Sequence, residues 1–166
     1  IPGRWKKVAE KMIKKYNLKA NSTVLDVGCG KGFLLFEMRK LIPTLKVRGF
    51  DISNHGLKNS KKEIKNFLFK HNADKQFPFK NKSFDLVMTF ACLHNLKLPG
   101  LYKALKEIER VGKKKYVMVE GYRNEKELFN LQCWALTAEC FFSDEEWKWI
   151  FRKSNYTGDY EFIYFE

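Results

Sequence analysis

A chain of 166 residues fits one domain with a sizeable core. Its 45% hydrophobic and 16% aromatic content exclude a disordered chain, and no apolar run approaches the ~20 residues of a membrane-spanning helix. The formal charge of +13 keeps a polyanionic partner open, but lysines spread from Lys6 to Lys153 carry most of it, as on a solvated surface.

Cys29, Cys92, Cys133 and Cys140 form no CxxC pair and lie far from any histidine cluster, which argues against zinc or any other metal and against a disulfide scaffold. With no signal-peptide pattern, the chain reads as cytoplasmic and not membrane-inserted. Its start at Ile1 rather than Met reads as an N-terminus either trimmed or not seen.

In chain order, Trp5, Val8, Met12 and Tyr16 recur at helical spacing within a first helix from Arg4 to Tyr16. Thr23 to Val27 reads as a buried strand, followed at once by the turn Gly28-Cys29-Gly30-Lys31-Gly32. A helix with Leu34, Met38, Leu41 and Ile42 on one face then stops at Pro43. Val47 to Ile52 is a second strand containing the acid Asp51, and Ser53 to Lys65 a weak helix. A short strand at Phe67 to Phe69, a loop from Lys75 and a buried strand from Phe84 to Phe90 follow. Pro99 opens a helix lined by Leu101, Leu105 and Ile108, which Gly112 closes before a strand from Tyr116 to Glu120.

Further on, Asn124 with Glu127 caps a segment apolar nearly all round, from Leu128 to Leu136, which must be buried or cover something. Ser143 with Glu146 is a capping box for a helix carrying Trp147, Ile150 and Phe151, and Tyr160 to Phe165 reads as a last strand. This alternation predicts an α/β, Rossmann-like three-layer sandwich: a mostly parallel sheet with helices on both faces, in one domain spanning 1–166. Residues 1–20 form an N-terminal helix over the ligand, and 123–154 a variable helical segment for a substrate.

Glycines at positions 28, 30 and 32 let the backbone turn tightly and let a ligand approach. Asp26 sits where a dinucleotide would place its pyrophosphate, which a carboxylate repels. A ligand with an ammonium and a sulfonium is attracted instead, so Asp26 favours S-adenosylmethionine over NAD. Asp51 falls 19 residues after Gly32, where an acid can accept both ribose hydroxyls, and Ile52 can pack on adenine.

Val24-Leu25-Asp26-Val27-Gly28-Cys29-Gly30-Lys31-Gly32 resembles the first motif of class I S-adenosylmethionine-dependent methyltransferases. Asn72-Ala73-Asp74, Phe77-Pro78-Phe79 and Ser83-Phe84-Asp85-Leu86-Val87 are similar to that family's stretch into strand four. The resemblance covers about Trp5 to Tyr122. It implies S-adenosylmethionine as cofactor, Asp74 as partner of the adenine amino group, and Ala73 and Phe90 among the cofactor contacts. It also implies a sheet ordered 3-2-1-4-5-7-6 with strand seven antiparallel, although one clear strand follows strand five here. The nearest flavour is the group of small-molecule methyltransferases acting on quinone rings and sugars.

Methyl transfer is an in-line displacement for which the protein chiefly supplies alignment, plus a base when the acceptor holds a proton. His94, in Ala91-Cys92-Leu93-His94-Asn95, and Glu120 are the catalytic candidates, each with a structural alternative. Arg123 suits an anionic acceptor, and Trp5 and Tyr16 can close over the cofactor. Cys92 lacks a preceding proline and reads as a small buried residue rather than a nucleophile. Trp134, Phe141 and Phe142 either choose the substrate or bury core or a homodimer surface. The leading expectation is a small-molecule acceptor; RNA or tRNA methylation and a non-catalytic partner subunit are the alternatives.

Overall fold

The computed structural model describes residues 3–166, so the terminus at Ile1 lies outside the described residues. Helix α1 (Arg4–Tyr16) buries Ala9, Met12 and Tyr16 along one stripe, and Asn17, at a φ of 51°, ends it by donating its N–H to the carbonyls of Ile13 and Lys14. Then come β1 (Thr23–Val27), α2 (Phe33–Leu41), β2 (Lys46–Asp51), two short helices α3 (Asn54–Lys58) and α4 (Lys62–Lys65), and β3 (Leu68–Lys70). The weak helix expected over 53–65 is thus broken in two. Asn59 and Ser60 divide it, and only Gly56 and Ile64 are buried to anchor the pieces. Beyond lie β4 (Phe84–Phe90), α5 (Leu98–Val111), β5 (Gly112–Glu120), α6 (Glu125–Trp134), α7 (Asp144–Lys153) and β6 (Asp159–Ile163).

The six strands run in the order β3-β2-β1-β4-β5-β6, and every pairing is parallel. This corrects the order 3-2-1-4-5-7-6 and its antiparallel strand. After β5 the described residues supply two helices and one strand. The crossover therefore delivers β6 parallel and directly beside β5, with Tyr116 opposite Asp159 and Glu120 opposite Ile163. Strand β5 also starts at Gly112 rather than Tyr116, because Phe84 pairs with Gly112 and draws the lysine run Lys113–Lys115 into the sheet.

Two apolar layers sandwich the sheet. One joins α1, α2 and Ile64 of α4 to Val24, Leu86 and Met88; the other joins α5 and α7 to Leu25, Val87 and Val117. Arg110 of α5 donates to the carbonyls of Phe77 and Phe79 and pairs with Glu107, so the loop before β4 is tied down although it has no regular structure. Both predicted caps form: Asn124 accepts from the Glu127 N–H, and Ser143 and Glu146 make a full capping box.

Segment 128–136 departs from expectation. Phe129, Trp134 and Leu136 stay 64%, 51% and 88% exposed, and Leu131 and Ala135 are the buried side chains there. The backbone N–H groups of Glu139 and Cys140 donate to the His94 carbonyl, and Thr137 donates to Asn95. These bonds hold the residues just after the segment against the loop that follows β4. Phe142 does go inward, edge-on to Trp147.

Candidate functional site: a cleft of two lobes

Chain direction along the sheet reverses between β1 and β4, and a crevice opens outside their carboxyl ends, where open α/β sheets bind ligands. The glycine turn lies over it. Gly28 and Gly30 have φ of 74° and 54°, the left-handed region that glycine enters without penalty. The N–H groups of Gly28 and Cys29 both donate to the Phe50 carbonyl, at 2.9 and 3.0 Å, stitching the turn to β2.

Asp51, at the end of β2, is held by the backbone: its Oδ2 accepts from the Gly30 N–H at 2.8 Å and its Oδ1 from the Ser53 N–H at 2.7 Å. An ionised carboxylate offers about four acceptor positions, so two remain for a ligand. Asp74 has one buried oxygen, Oδ1, without a hydrogen-bond partner. Asp51, Ile52, Ala73 and Asp74 line one lobe of about 810 Å³, joined by Cys92 and Lys97.

A second lobe of about 500 Å³ shares Gly28 and Ala91 with the first, so the two form one cleft. Asp26, Trp5, Phe90, Met118, Glu120 and Trp134 line it. Asp26 is 4% exposed, and burial, reinforced by the charge of Asp51, pushes its carboxyl up to about 8. A cation beside Asp26 reverses that penalty.

From 3.8 to about 8 the unfolded chain ionises Asp26 while the ligand-free folded chain keeps it protonated. The folded state holds the extra proton, so this residue makes stability fall as pH rises across that window. Asp26→Asn is expected to remove its contribution, so that in urea melts the mutant gains on the wild type between pH 5 and pH 8. A gap that does not move with pH would detach Asp26 from this titration. Affinity for a cationic ligand should change the opposite way in the wild type, rising over the same window.

Glu120 ends β5 and His94 lies in the turn after β4. The two side chains meet at 2.5 Å between His94 Nδ1 and Glu120 Oε2, both buried. Glu120 Oε1 has no partner. The sequence proposed these residues separately and offered no reason to pair them. Their contact follows from β4 and β5 being neighbours in register.

The expectations for Tyr16 and Arg123 need correcting, and those for Phe90 and Cys92 do not. Phe90, expected among the cofactor contacts, lines the second lobe with Asp26, Gly28 and Gly30 and meets Trp5 edge-on. Tyr16 is a full helix away from the cleft and donates to Asp159. Arg123 is not free for an anionic acceptor, because Glu127 and Glu166 hold its guanidinium over the Tyr164 ring. Cys92 packs against Gly28, and burial together with the Asp51 and Asp26 charges pushes its thiol up to about 12, which keeps it protonated and unreactive. Sequence reasoning missed Met118, Ile163 and Phe165, which also line the second lobe. A parallel last strand must end at the same rim as the others, and that would have found the last two.

The arrangement fits S-adenosylmethionine. Asp51 has acceptor capacity for ribose, Asp74 Oδ1 accepts no hydrogen bond, with Lys75 Nζ 3.6 Å away, and can take an amino group, and the buried acid Asp26 lies where a cationic end can enter. Among the described residues no group of His, Cys, Asp and Glu could hold a metal ion.

Comparison with known proteins shows the family to which the chain belongs. The chain is 34% identical over 119 residues to the mouse protein named arginine-hydroxylase NDUFAF5, mitochondrial, covering 69% of this chain and 33% of that one. It is 32% identical over 112 residues to the demethylmenaquinone methyltransferase of Chlorobaculum parvum, covering 67% and 45%. The chain thus spans a third to a half of the length of these curated relatives. Among solved structures, the YcgJ protein of Bacillus subtilis superposes with a TM-score of 0.73 at 20% identity, over 89% of this chain and 67% of that one, which shows the fold. The methyltransferase domain profile matches residues 18–155, from before β1 to beyond α7, and the chain belongs to the S-adenosylmethionine-dependent methyltransferase domain family.

Proposed function

We propose that the chain transfers the methyl group of S-adenosylmethionine to a small-molecule acceptor. The observation that carries this reading is the division of one cleft by the glycine turn into a carboxylate-lined nucleoside lobe and an aromatic-walled lobe. Asp51, Ile52, Ala73 and Asp74 would hold the adenosine end, and Asp26 with Gly28 and Gly30 the amino-acid end. When bound, the cofactor supplies an electrophilic methyl on a sulfonium. The protein contributes alignment: Trp5 on α1 and Trp134 on α6 flank the second lobe and restrict both its water and the size of what enters.

One observation favours a second reading, RNA methylation. Helices α1, α2 and α4 carry ten Lys and Arg against only Glu10, Glu37 and Glu63, whereas α5, α6 and α7 carry seven against seven acids. The excess charge therefore lies on one face, and such a face attracts phosphate backbones. The confined second lobe weighs for the small molecule.

Incubation of the protein with methyl-labelled S-adenosylmethionine and a whole-cell extract separates the readings. Label is expected in the fraction that passes a filter retaining RNA and protein, and it should survive nuclease treatment. Label confined to nuclease-sensitive, retained material would replace this reading with the second. No label, with S-adenosylhomocysteine still bound, would make the chain a non-catalytic partner subunit.

A further inference from the structure

We propose that the second lobe takes an uncharged ring bearing a hydroxyl, and that Glu120 Oε1 accepts first the hydrogen bond of that hydroxyl and then its proton. The inference rests on the methyltransferase reading and deepens it. Glu120 is fixed at every point but one. Its carbonyl oxygen accepts from Trp147 Nε1 at 2.8 Å, and its Oε2 meets His94 Nδ1 at 2.5 Å. The His94 carbonyl in turn receives the N–H groups of Glu139 and Cys140. Only Oε1 is left, buried and unpartnered, in a residue 2% exposed that lines the lobe. Buried carboxylate oxygens without a donor are costly and rare, so a fold that keeps one in a binding cavity reserves it for a ligand donor.

The donor is uncharged because of what surrounds it. Glu120, 2% exposed, lines the lobe and repels an anion placed beside it, while of the two cations on the lining Arg4 is exposed to screening water and Lys31 is half-buried. An ammonium is disfavoured too, since the same lobe receives the cationic end of the cofactor. An uncharged amine already has a free lone pair and needs no base before it attacks, whereas a hydroxyl gains from one. The walls select a ring: Trp134 lies 4.6 Å from Phe165 between centroids, 34° from parallel, and Trp5 meets Phe90 edge-on at 6.1 Å. A phenol or a sugar presents such a hydroxylated, flat apolar face.

In the step so drawn the acceptor O–H bond breaks and its proton bonds to Glu120 Oε1. The electron pair left on the acceptor oxygen forms the new C–O bond with the methyl of the sulfonium donor. The former C–S pair returns to sulfur, leaving a neutral thioether.

The test is binding, read by tryptophan fluorescence and calorimetry on the whole chain saturated with S-adenosylhomocysteine. The probes are 2-naphthol for the aromatic case, phenyl β-glucoside for the sugar case and 2-naphthoate as the anion. At least one uncharged probe is expected to bind the wild type roughly tenfold or more tighter than 2-naphthoate, as a buried unpaired charge demands. Glu120→Gln should shrink that gap to about threefold or less, with S-adenosylhomocysteine affinity held within about threefold, since only the lobe's charge changes. Equal binding of 2-naphthoate, failure of both uncharged probes, or a gap unmoved by Glu120→Gln would each overturn the proposal. So would a large loss of S-adenosylhomocysteine affinity in Glu120→Gln, which would assign the carboxylate to the cofactor. The wild-type contrast stands by itself if the variant does not fold. Absence of S-adenosylhomocysteine binding to the wild type would instead refute the methyltransferase reading beneath it.

Discussion

Asp51→Ala should weaken S-adenosylhomocysteine binding by about 100-fold or more, because two charge-assisted hydrogen bonds at roughly 1.5–3 kcal/mol each disappear together. The side chain does two jobs at once. It accepts the N–H groups of Gly30 and Ser53 and so sets the turn against β2. Its remaining acceptor positions are available to a ribose diol. Alanine loses both, and the Gly30 N–H is left to water. Asp51→Asn is expected to fall between, because the amide keeps one oxygen but turns a donor toward either the backbone N–H or the diol. Calorimetric titration of the three proteins with S-adenosylhomocysteine checks this. A loss of threefold or less for Asp51→Ala would remove the carboxylate from the nucleoside site, and with it the main support for the proposed cofactor geometry.

Local pattern made the inner sheet and its helices legible. The boundaries of α1, β1 and β4 follow directly from helical spacing at Trp5, Val8, Met12 and Tyr16 and from the buried runs Thr23–Val27 and Phe84–Phe90. Caps were equally readable, since Asn124 and Ser143 act within three residues of themselves. What failed depended on partners distant in sequence. The start of β5 is set by Phe84, 28 residues earlier, and the lysines Lys113–Lys115 hid it because charge argues against a strand. The place of β6 depends on which strand the α7 crossover reaches, and sequence periodicity carries no such information.

The same division runs through the site. Asp26, Asp51 and the glycines are contiguous with the elements that carry them, so spacing alone brought them together. The His94–Glu120 contact, the unpartnered oxygen of Glu120, and the capture of Arg123 by Glu127 and Glu166 are facts of tertiary packing. Segment 128–136 illustrates the limit best. Its apolar composition announced burial or a covering role, and the bonds that Glu139 and Cys140, just beyond it, make to the His94 carbonyl go with Phe129 and Leu136 in solvent and Trp134 on the cleft.

Gly28→Ala and Gly30→Ala should separate stability from binding, although both glycines have positive φ. At Gly28 an added Cβ would lie 2.2 Å from Cys92 Sγ and 2.6 Å from its Cβ. Strain of roughly 1–2 kcal/mol at the left-handed φ and a similar or larger overpacking penalty together predict destabilisation by about 2–4 kcal/mol. Combining Gly28→Ala with Cys92→Gly removes the clashing atoms and should recover part of the loss in urea melts, leaving the φ strain and the cost of the new glycine. At Gly30 an added Cβ meets nothing within 4 Å, so only the φ strain of about 1–2 kcal/mol applies. Gly30 lines the second lobe, however, and its N–H must stay in place for Asp51. Gly30→Ala is therefore expected to keep the fold and lower S-adenosylhomocysteine affinity about tenfold or more, through a methyl where the ligand approaches. Equal stability losses at the two positions would mean that Cys92 yields freely. Unchanged affinity in Gly30→Ala would move the ligand off the turn, because no other consequence of that methyl is available in open space.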